Sequence, residues 1–362
     1  MNYYLKERDA LETYQKNAGS KARKDVEDIL DSLGWQPVQV AVPFKRNKKL
    51  SAAVFSHVRN FFFYFYRLKA LGRGDTLLVQ FPPRSHSLFF PIIYRFLRLK
   101  GAKVIILIHD IEQLRFLHLD ETSSKSQVRI KLEEMPLLKS ADSIICHNEV
   151  MRNYLREQGI PDKKLITLGV FDYLTDFEPD TESKRSLETS GKPEVLLAGN
   201  LNPGKSIYLT ELHKVPDIQF HLYGVGYEDR GQENVTYMGS FLPEELPGEL
   251  SGHYGLVWDG TSIETCDGPF GNYLRFNDPH KLSLYLVSGL PVIVWAESAV
   301  AGFVKEESLG ITVSSLKDIP QAISRVSPTE YETMVQNTLK FSARLRDGYY
   351  LKHALEERLT HD

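Results

Sequence analysis

The feature that most constrains this chain is a rhythm. Short apolar runs alternate with amphipathic stretches, and the pattern plays through twice with one interruption. The first series predicts strands at Asn2–Leu5, Pro37–Val42, Thr76–Phe81, Val104–Ile108, Ser143–Cys146 and Leu165–Leu168. Helices are predicted between them at Ser20–Leu33, Ala52–Leu71, Leu88–Lys100, Gln127–Lys139 and Glu149–Gln158. In the first helix Val26, Ile29, Leu30 and Leu33 recur at helical spacing behind Ser20, a residue type that caps helix N-termini. Between Asp172 and Lys192 the rhythm stops in a polar, acidic segment with the composition of a linker. It restarts with strands at Val195–Ala198, Ile218–Tyr223, Val235–Met238, Gly255–Val257, Val292–Trp295 and Ile311–Val313. The intervening helices are predicted at Glu244–Leu250, His280–Ser288, Ser298–Lys305 and Leu316–Arg325, with a helical tail over Glu330–Leu359. Regular alternation of this kind implies parallel βαβ units. The expectation is an α/β chain of two doubly wound domains facing across a cleft. They are residues 1–172 and 193–328, joined by a linker at 173–192, with a tail at 329–362 packing back on the first. A length of 362 residues also exceeds what one core usually organises.

Composition narrows the classes. With 42% hydrophobic and 25% charged residues the chain is neither disordered nor fibrous. Two cysteines, Cys146 and Cys266, rule out a disulfide scaffold and a cysteine-based zinc cluster, and suit a reducing compartment. No apolar run reaches the ~18 residues of a membrane helix, and Met1–Asp9 is charged where a signal peptide would be apolar. A cytoplasmic chain is expected.

The net charge of −3 conceals an asymmetry: between Phe44 and Lys103 thirteen Lys or Arg face one acid, Asp75. Aromatic residues lie among them, as in Phe61–Lys69 and Phe89–Lys100. Two core helices with solvated basic faces account for this. So does a surface that meets anionic lipid or a diphosphate-linked substrate, which would make the protein peripheral on the inner face of the plasma membrane. No nucleic-acid-binding signature accompanies the charge, so nucleic acid is not an expected partner.

Ligands of open α/β sheets bind beyond the strand carboxyl ends, so the motifs there matter most. After Val195–Ala198 comes Gly199-Asn-Leu-Asn-Pro-Gly-Lys-Ser206. A helix beginning near Ile207 would offer free N–H groups, with Lys205 adding a cation suited to a diphosphate. An ordinary strand-to-helix turn explains the same residues. After Gly255–Val257 a glycine-rich loop of about twenty residues leads to Asn277-Asp-Pro-His-Lys-Leu282 and a helix. A lysine in a first helical turn opposes the helix dipole, which makes sense if an anion is bound between Lys281 and the helix tip. After Val104–Ile108, His109 and Asp110 could orient or deprotonate an acceptor hydroxyl, or could cap the next segment. Between the first strand and helix, Gly19 and Ser20 stand at a helix start that would face the same cleft as an acceptor or donor loop.

Together Asn17–Asp25, Ile108–Glu112, Phe171–Leu174, Ala198–Leu201 and the block Trp258–Leu286 resemble the bacterial β-1,6-galactofuranosyltransferases of O-antigen synthesis. More distantly they resemble the glucosyltransferases that extend glycans on streptococcal adhesins. The resemblance implies a GT-B fold: two Rossmann-like domains, the second holding a UDP-sugar and the first meeting a glycan acceptor, lipid-diphosphate-linked in some systems. It implies no cofactor and no metal, in keeping with a sequence that has no Asp-x-Asp pair. Carried onto this chain, it implies UDP-sugar contacts from Lys205, from Phe241 near the uracil, and from Asn277, Asp278, Pro279, His280, Lys281 and Leu282; Gly199 and Asn200, in the same turn as Lys205, are expected to bind the UDP-sugar beside them. Lysine at 205 keeps charge where the glucosyltransferase branch has a bidentate arginine. Asp259–Asp267 is closer to the galactofuranosyl branch. Asp110, with His109 beside it, is the expected base. Two alternatives stay open: a nucleotide-sugar epimerase on this fold, or a non-catalytic subunit binding UDP or glycan. A homo-oligomer is also left open.

Overall fold

The computed structural model describes residues 1–9, 18–42, 50–84, 87–117, 133–179 and 191–360. Lys45, Arg46, Lys48 and Lys49, the first residues of the predicted helix Gln127–Lys139, and most of the predicted linker lie outside them. The chain divides into two compact units. One contains Met1–Gln15, Val26–Leu168 and Leu351–Asp362; the other contains Lys16–Asp25 and Gly169–Tyr350. Residues 16–25 thus group with the second unit, and the tail is shared between the two at Tyr350.

The first unit is built on six parallel strands: β1 (Asn2–Asp9), β2 (Gln36–Val42), β3 (Thr76–Phe81), β4 (Lys103–Ile108), β5 (Ser143–Cys146) and β6 (Leu165–Thr167). Their order is β2-β1-β3-β4-β5-β6. β3 and β5 are buried along their length and β4 from Val104 onward, so they read as unbroken apolar runs rather than as alternating ones. The helices are α1 (Ala18–Ser32), which belongs to this unit from Val26, α2 (Leu50–Leu68), α3 (Phe90–Leu99), α4 (Glu112–Arg115), α5 (133–140) and α6 (Glu149–Glu157). Asn148 caps α6 by accepting the Met151 N–H at 3.0 Å.

The second unit repeats the plan with β7 (Glu194–Asn200), β8 (Gln219–Val225), β9 (Val235–Gly239), β10 (Tyr254–Val257), β11 (Val292–Trp295) and β12 (Gly310–Val313). They are ordered β12-β11-β10-β7-β8-β9 and are all parallel. Its helices are α7 (Leu246–Glu249), α8 (Gly268–Tyr273), α9 (His280–Val287), α10 (Ala301–Glu306), α11 (Ile319–Ser324), α12 (Pro328–Asp347) and α13 (Tyr349–Thr360), the last belonging to the first unit from Leu351.

Two expectations are corrected, and the helices of the tail are delimited. The segment after Lys205 is a 3₁₀ run, Ile207–Lys214, so no α-helical dipole points at that turn. The long loop after β10 is not structureless, because α8 is wound inside it. The tail is two helices, broken where Gly348 takes φ 73°.

Candidate functional site

Strand order marks a candidate site in the second unit. Reading outward from the β7/β10 pair, the chain runs β7-β8-β9 one way and β10-β11-β12 the other. Helices diverge at such a reversal and leave a crevice beyond the strand carboxyl ends. β7 ends there in Gly199 and Asn200; β10 ends there in Val257, followed by Trp258 and Asp259. Lys281, in the first turn of α9, joins the two. Its Nζ donates to the Trp258 carbonyl at 3.1 Å and lies 3.2 Å from both carboxylate oxygens of Asp259. A Cβ on Gly199 would sit 3.4 Å from the Lys281 Cε. The anion inferred beside Lys281 is therefore, in this structure, the chain's own carboxylate.

The framework under these residues explains several motif positions without a ligand. Tyr285 of α9 lies across β10 and its hydroxyl accepts the Ala198 N–H of β7 at 2.8 Å. Any side chain at Gly255 would meet the Tyr285 ring at 2.1 Å, so only glycine fits there. Tyr208 donates to the Trp258 carbonyl at 3.3 Å, and the Trp258 indole donates to the Ser262 carbonyl at 3.0 Å. Asp267 closes the turn by accepting from the Thr261 N–H and hydroxyl. The loop is thus wound tightly enough to hold Asp259 against Lys281.

The other predicted donor residues fall around this centre. Lys205 places its Nζ 5.0 Å from the Phe270 ring centroid on α8, one residue before Gly271, which packs on the Asp259 carbonyl. Both lysines therefore touch the same loop. Asn200 accepts the Asn202 N–H through its side chain and the Ser206 hydroxyl through its carbonyl, fixing the turn that carries Lys205. Phe241 packs 6.3 Å from Tyr223 of β8. Asp278 and Leu282 are buried, Pro279 holds the cap position of α9, and the Asn277 Oδ1 is enclosed without a hydrogen-bond partner. His280 stacks on Tyr173 at 5.1 Å; burial pushes its pKa down to about 4, and the positive charge of Lys21 acts in the same direction.

That stack belongs to a network the sequence did not foretell. The Lys21 ammonium pairs with Asp25, donates to the Leu174 carbonyl at 2.6 Å and lies 4.8 Å from the Tyr173 ring. Asp25 accepts the Leu174 N–H at 3.2 Å, and Tyr173 donates to the Pro243 carbonyl at 2.6 Å. The first turns of α1, with Gly19 and Ser20, are thereby tied to the residues beside α9. The i,i+4 spacing of Lys21 and Asp25 was visible; their partner at Leu174 was not.

In the first unit the strand order reverses between β1 and β3. Beyond the sheet, His109 donates its backbone N–H to the Phe81 carbonyl at 2.7 Å and sets its Nε2 2.7 Å from the Gln80 Oε1. Asp110 is partly exposed and accepts from the Arg115 guanidinium at 2.7 Å. Glu134 accepts the N–H groups of Glu112 and Gln113 at 2.9 and 3.1 Å, and burial raises its pKa to about 7. His147 lies buried under the same turn, its ring 3.1 Å from the Ile108 carbonyl; burial pushes its pKa down to about 4. His109 and Asp110 directly follow the carboxyl end of β4.

Two parallel six-stranded α/β units of this kind are the components of a GT-B fold. The chain matches family models for the N-terminal domain (residues 3–170) and the C-terminal domain (residues 195–358) of glucosyltransferase 3-like proteins, and it belongs to that family. It is 34% identical over 361 residues to the β-1,6-galactofuranosyltransferase WbbI of Escherichia coli K12, covering 98% of this chain and 97% of that one. Among solved structures it resembles sucrose-phosphate synthase from Thermosynechococcus elongatus (TM-score 0.64, 14% identity, 99% of each chain). It also resembles Anabaena HepE in complex with UDP-glucose (TM-score 0.58, 11% identity, 99% of this chain and 100% of that one). Kinship over the full length with named transferases places the chain among glycosyltransferases rather than epimerases.

Proposed function

We propose that the protein transfers a hexosyl group, galactofuranosyl first and glucosyl second, from a UDP-sugar to a sugar hydroxyl of a cell-surface glycan. The similarity to WbbI along the whole chain carries this reading. In the transfer, the acceptor oxygen bonds to the anomeric carbon while that carbon's bond to the β-phosphate oxygen breaks. The electron pair leaves on UDP, and the acceptor proton passes to a base. Lys281 and Lys205, with the N-terminal tip of α9, meet the charge that grows on the phosphate. Gly199 and Asn200 offer close backbone approach, Phe241 a surface for the base, and the segment Asn277–Leu282 holds the tip in place. Asp110 accepts the proton, with Arg115 fixing its carboxylate and His109 alongside. Fixed lysines at the departing phosphate supply the charge that a metal gives other transferases, so the reaction needs no added divalent ion and no cofactor. The enzyme works in the cytoplasm, attached peripherally at the inner face of the membrane.

UDP release from UDP-galactofuranose, UDP-glucose, UDP-galactose and UDP-GlcNAc, with and without glycan acceptors and with EDTA, tests this. Release that requires both UDP-galactofuranose and an acceptor, unaffected by EDTA, is expected. Product from donor alone, strict dependence on a divalent ion, or binding without turnover would overturn it.

A further inference from the structure

Helix α2 turns an unusual face to solvent. Phe55, Phe62 and Tyr66 are 67%, 63% and 67% exposed. At 100° per residue they fall within about 40° of one another on the helix surface. Val58 and Phe63 widen the stripe at 40% and 52% exposure, while His57, Asn60, Tyr64 and Leu68 bury the opposite face. Arg59 and Lys69 flank the stripe, and the Lys69 ammonium lies 4.4 Å from the Tyr66 ring. Helix α3 extends the surface, with Ile92 and Leu99 exposed at i and i+7 and Arg95 between them. The Phe65–Phe96 contact at 5.0 Å and the Phe61–Phe89 contact at 6.3 Å join the two helices.

Charge identifies what this surface meets. Arg59, Arg67, Lys69, Arg95 and Lys100 lie on or beside these helices, and Arg98 on α3 is paired with Asp142 at 2.8 Å. The one acid between Leu50 and Lys103, Asp75, is bound to the amino group of Met1 at 3.0 Å and to the Gly72 N–H at 2.9 Å. A second copy docked face to face would set these cations against one another. An aromatic stripe within a cationic rim suits a layer with apolar depth beneath an anionic surface. Among the described residues no helix is long and apolar enough to cross a membrane, so contact through this face would be interfacial.

We infer that the outer face of α2 and α3 is a docking surface for an anionic lipid bilayer, with Phe55, Phe62 and Tyr66 entering the headgroup region and the arginines and lysines meeting lipid phosphates. This gives the peripheral attachment proposed above a surface. It rests on that part of the reading alone, so vesicle binding and sugar transfer can fail independently.

The test is co-sedimentation of the full chain with vesicles of phosphatidylcholine alone and with about one third phosphatidylglycerol. Thermal unfolding and light scattering run in parallel. Binding is expected only with phosphatidylglycerol, weakening severalfold as salt shortens the Debye length from ~10 to ~4 Å. Replacing Phe55, Phe62 and Tyr66 with Gln should lower vesicle affinity about tenfold or more with an unchanged unfolding temperature. Replacing Arg59, Lys69 and Arg95 with Gln should do the same. The inference is overturned by absent binding to anionic vesicles, by equal binding of the variants, by a dimer that the aromatic variant dissociates, or by RNA competing away the vesicles.

Discussion

The Lys281–Asp259 pair poses a question that one substitution answers. If Lys281 receives the diphosphate, Asp259 competes with it, and Asp259→Asn removes the competitor. The pair is mostly buried, with side-chain exposures of 22% and 15%. At 3.2 Å, with an effective dielectric near 20, the attraction is about 5 kcal/mol, much of it offset by desolvation. Removing one partner of a fully buried pair costs ~3–5 kcal/mol; with both groups partly wet, about 2–3 kcal/mol is expected here. That corresponds to a fall of roughly 4–12 °C in unfolding temperature for a unit of this size. The freed ammonium should then bind UDP about tenfold more tightly, or ~1.4 kcal/mol. Lys281→Met should lose a similar amount of stability and weaken UDP binding about a hundredfold. Titration calorimetry with UDP, alongside calorimetric unfolding, reads both quantities. UDP affinity that falls in Asp259→Asn, or that is unchanged in Lys281→Met, would refute the exchange of carboxylate for phosphate.

Two further outcomes follow from the framework. Gly255→Ala drives a methyl group into the Tyr285 ring at 2.1 Å and should destabilise by about 3 kcal/mol or more; Tyr285→Phe, which only orphans the buried Ala198 N–H, should cost ~1–3 kcal/mol by urea unfolding. Glu134 has a folded pKa raised to about 7 against an ordinary value near 4.5, so its ionisation erodes stability as pH rises through that window. Relative to wild type, Glu134→Gln should gain about 2–3 kcal/mol between pH 5 and pH 8 in denaturant titrations, and a pH-independent difference would refute the burial argument.

What could be read from the sequence divides along physical lines. Strand runs such as Thr76–Phe81 and Val292–Trp295 are set by local apolarity, and their bounds match the structure residue for residue. Helix starts shift by two or three residues at α3, α7 and α10, none of which has a side-chain cap to mark its start, whereas α6, capped by Asn148, begins at the predicted Glu149. Ile207–Lys214 looked α-helical by position, yet it follows a turn held by Asn200 and Asn202 and settles as 3₁₀. No periodicity encodes that outcome. Gly255 is space for Tyr285, a partner thirty residues away whose approach only the folded sheet reveals.

The same limit explains the charges. A lysine in the first turn of α9 opposes the helix dipole and so signals an anion nearby. What the sequence could not supply was the identity of the anion, because Asp259 reaches Lys281 only once β10 and α9 are packed. A carboxylate held within 3.2 Å of the ammonium keeps that cation oriented and partly dry at the β7/β10 switch point. Phosphate reaching this ammonium must displace the carboxylate, and that exchange is the one Asp259→Asn removes. Lys21 and Asp25 extend the same logic. By clamping Leu174 and Tyr173 they hold the ring on which His280 stacks, so the start of α9 is positioned from residues some 260 places earlier in the chain.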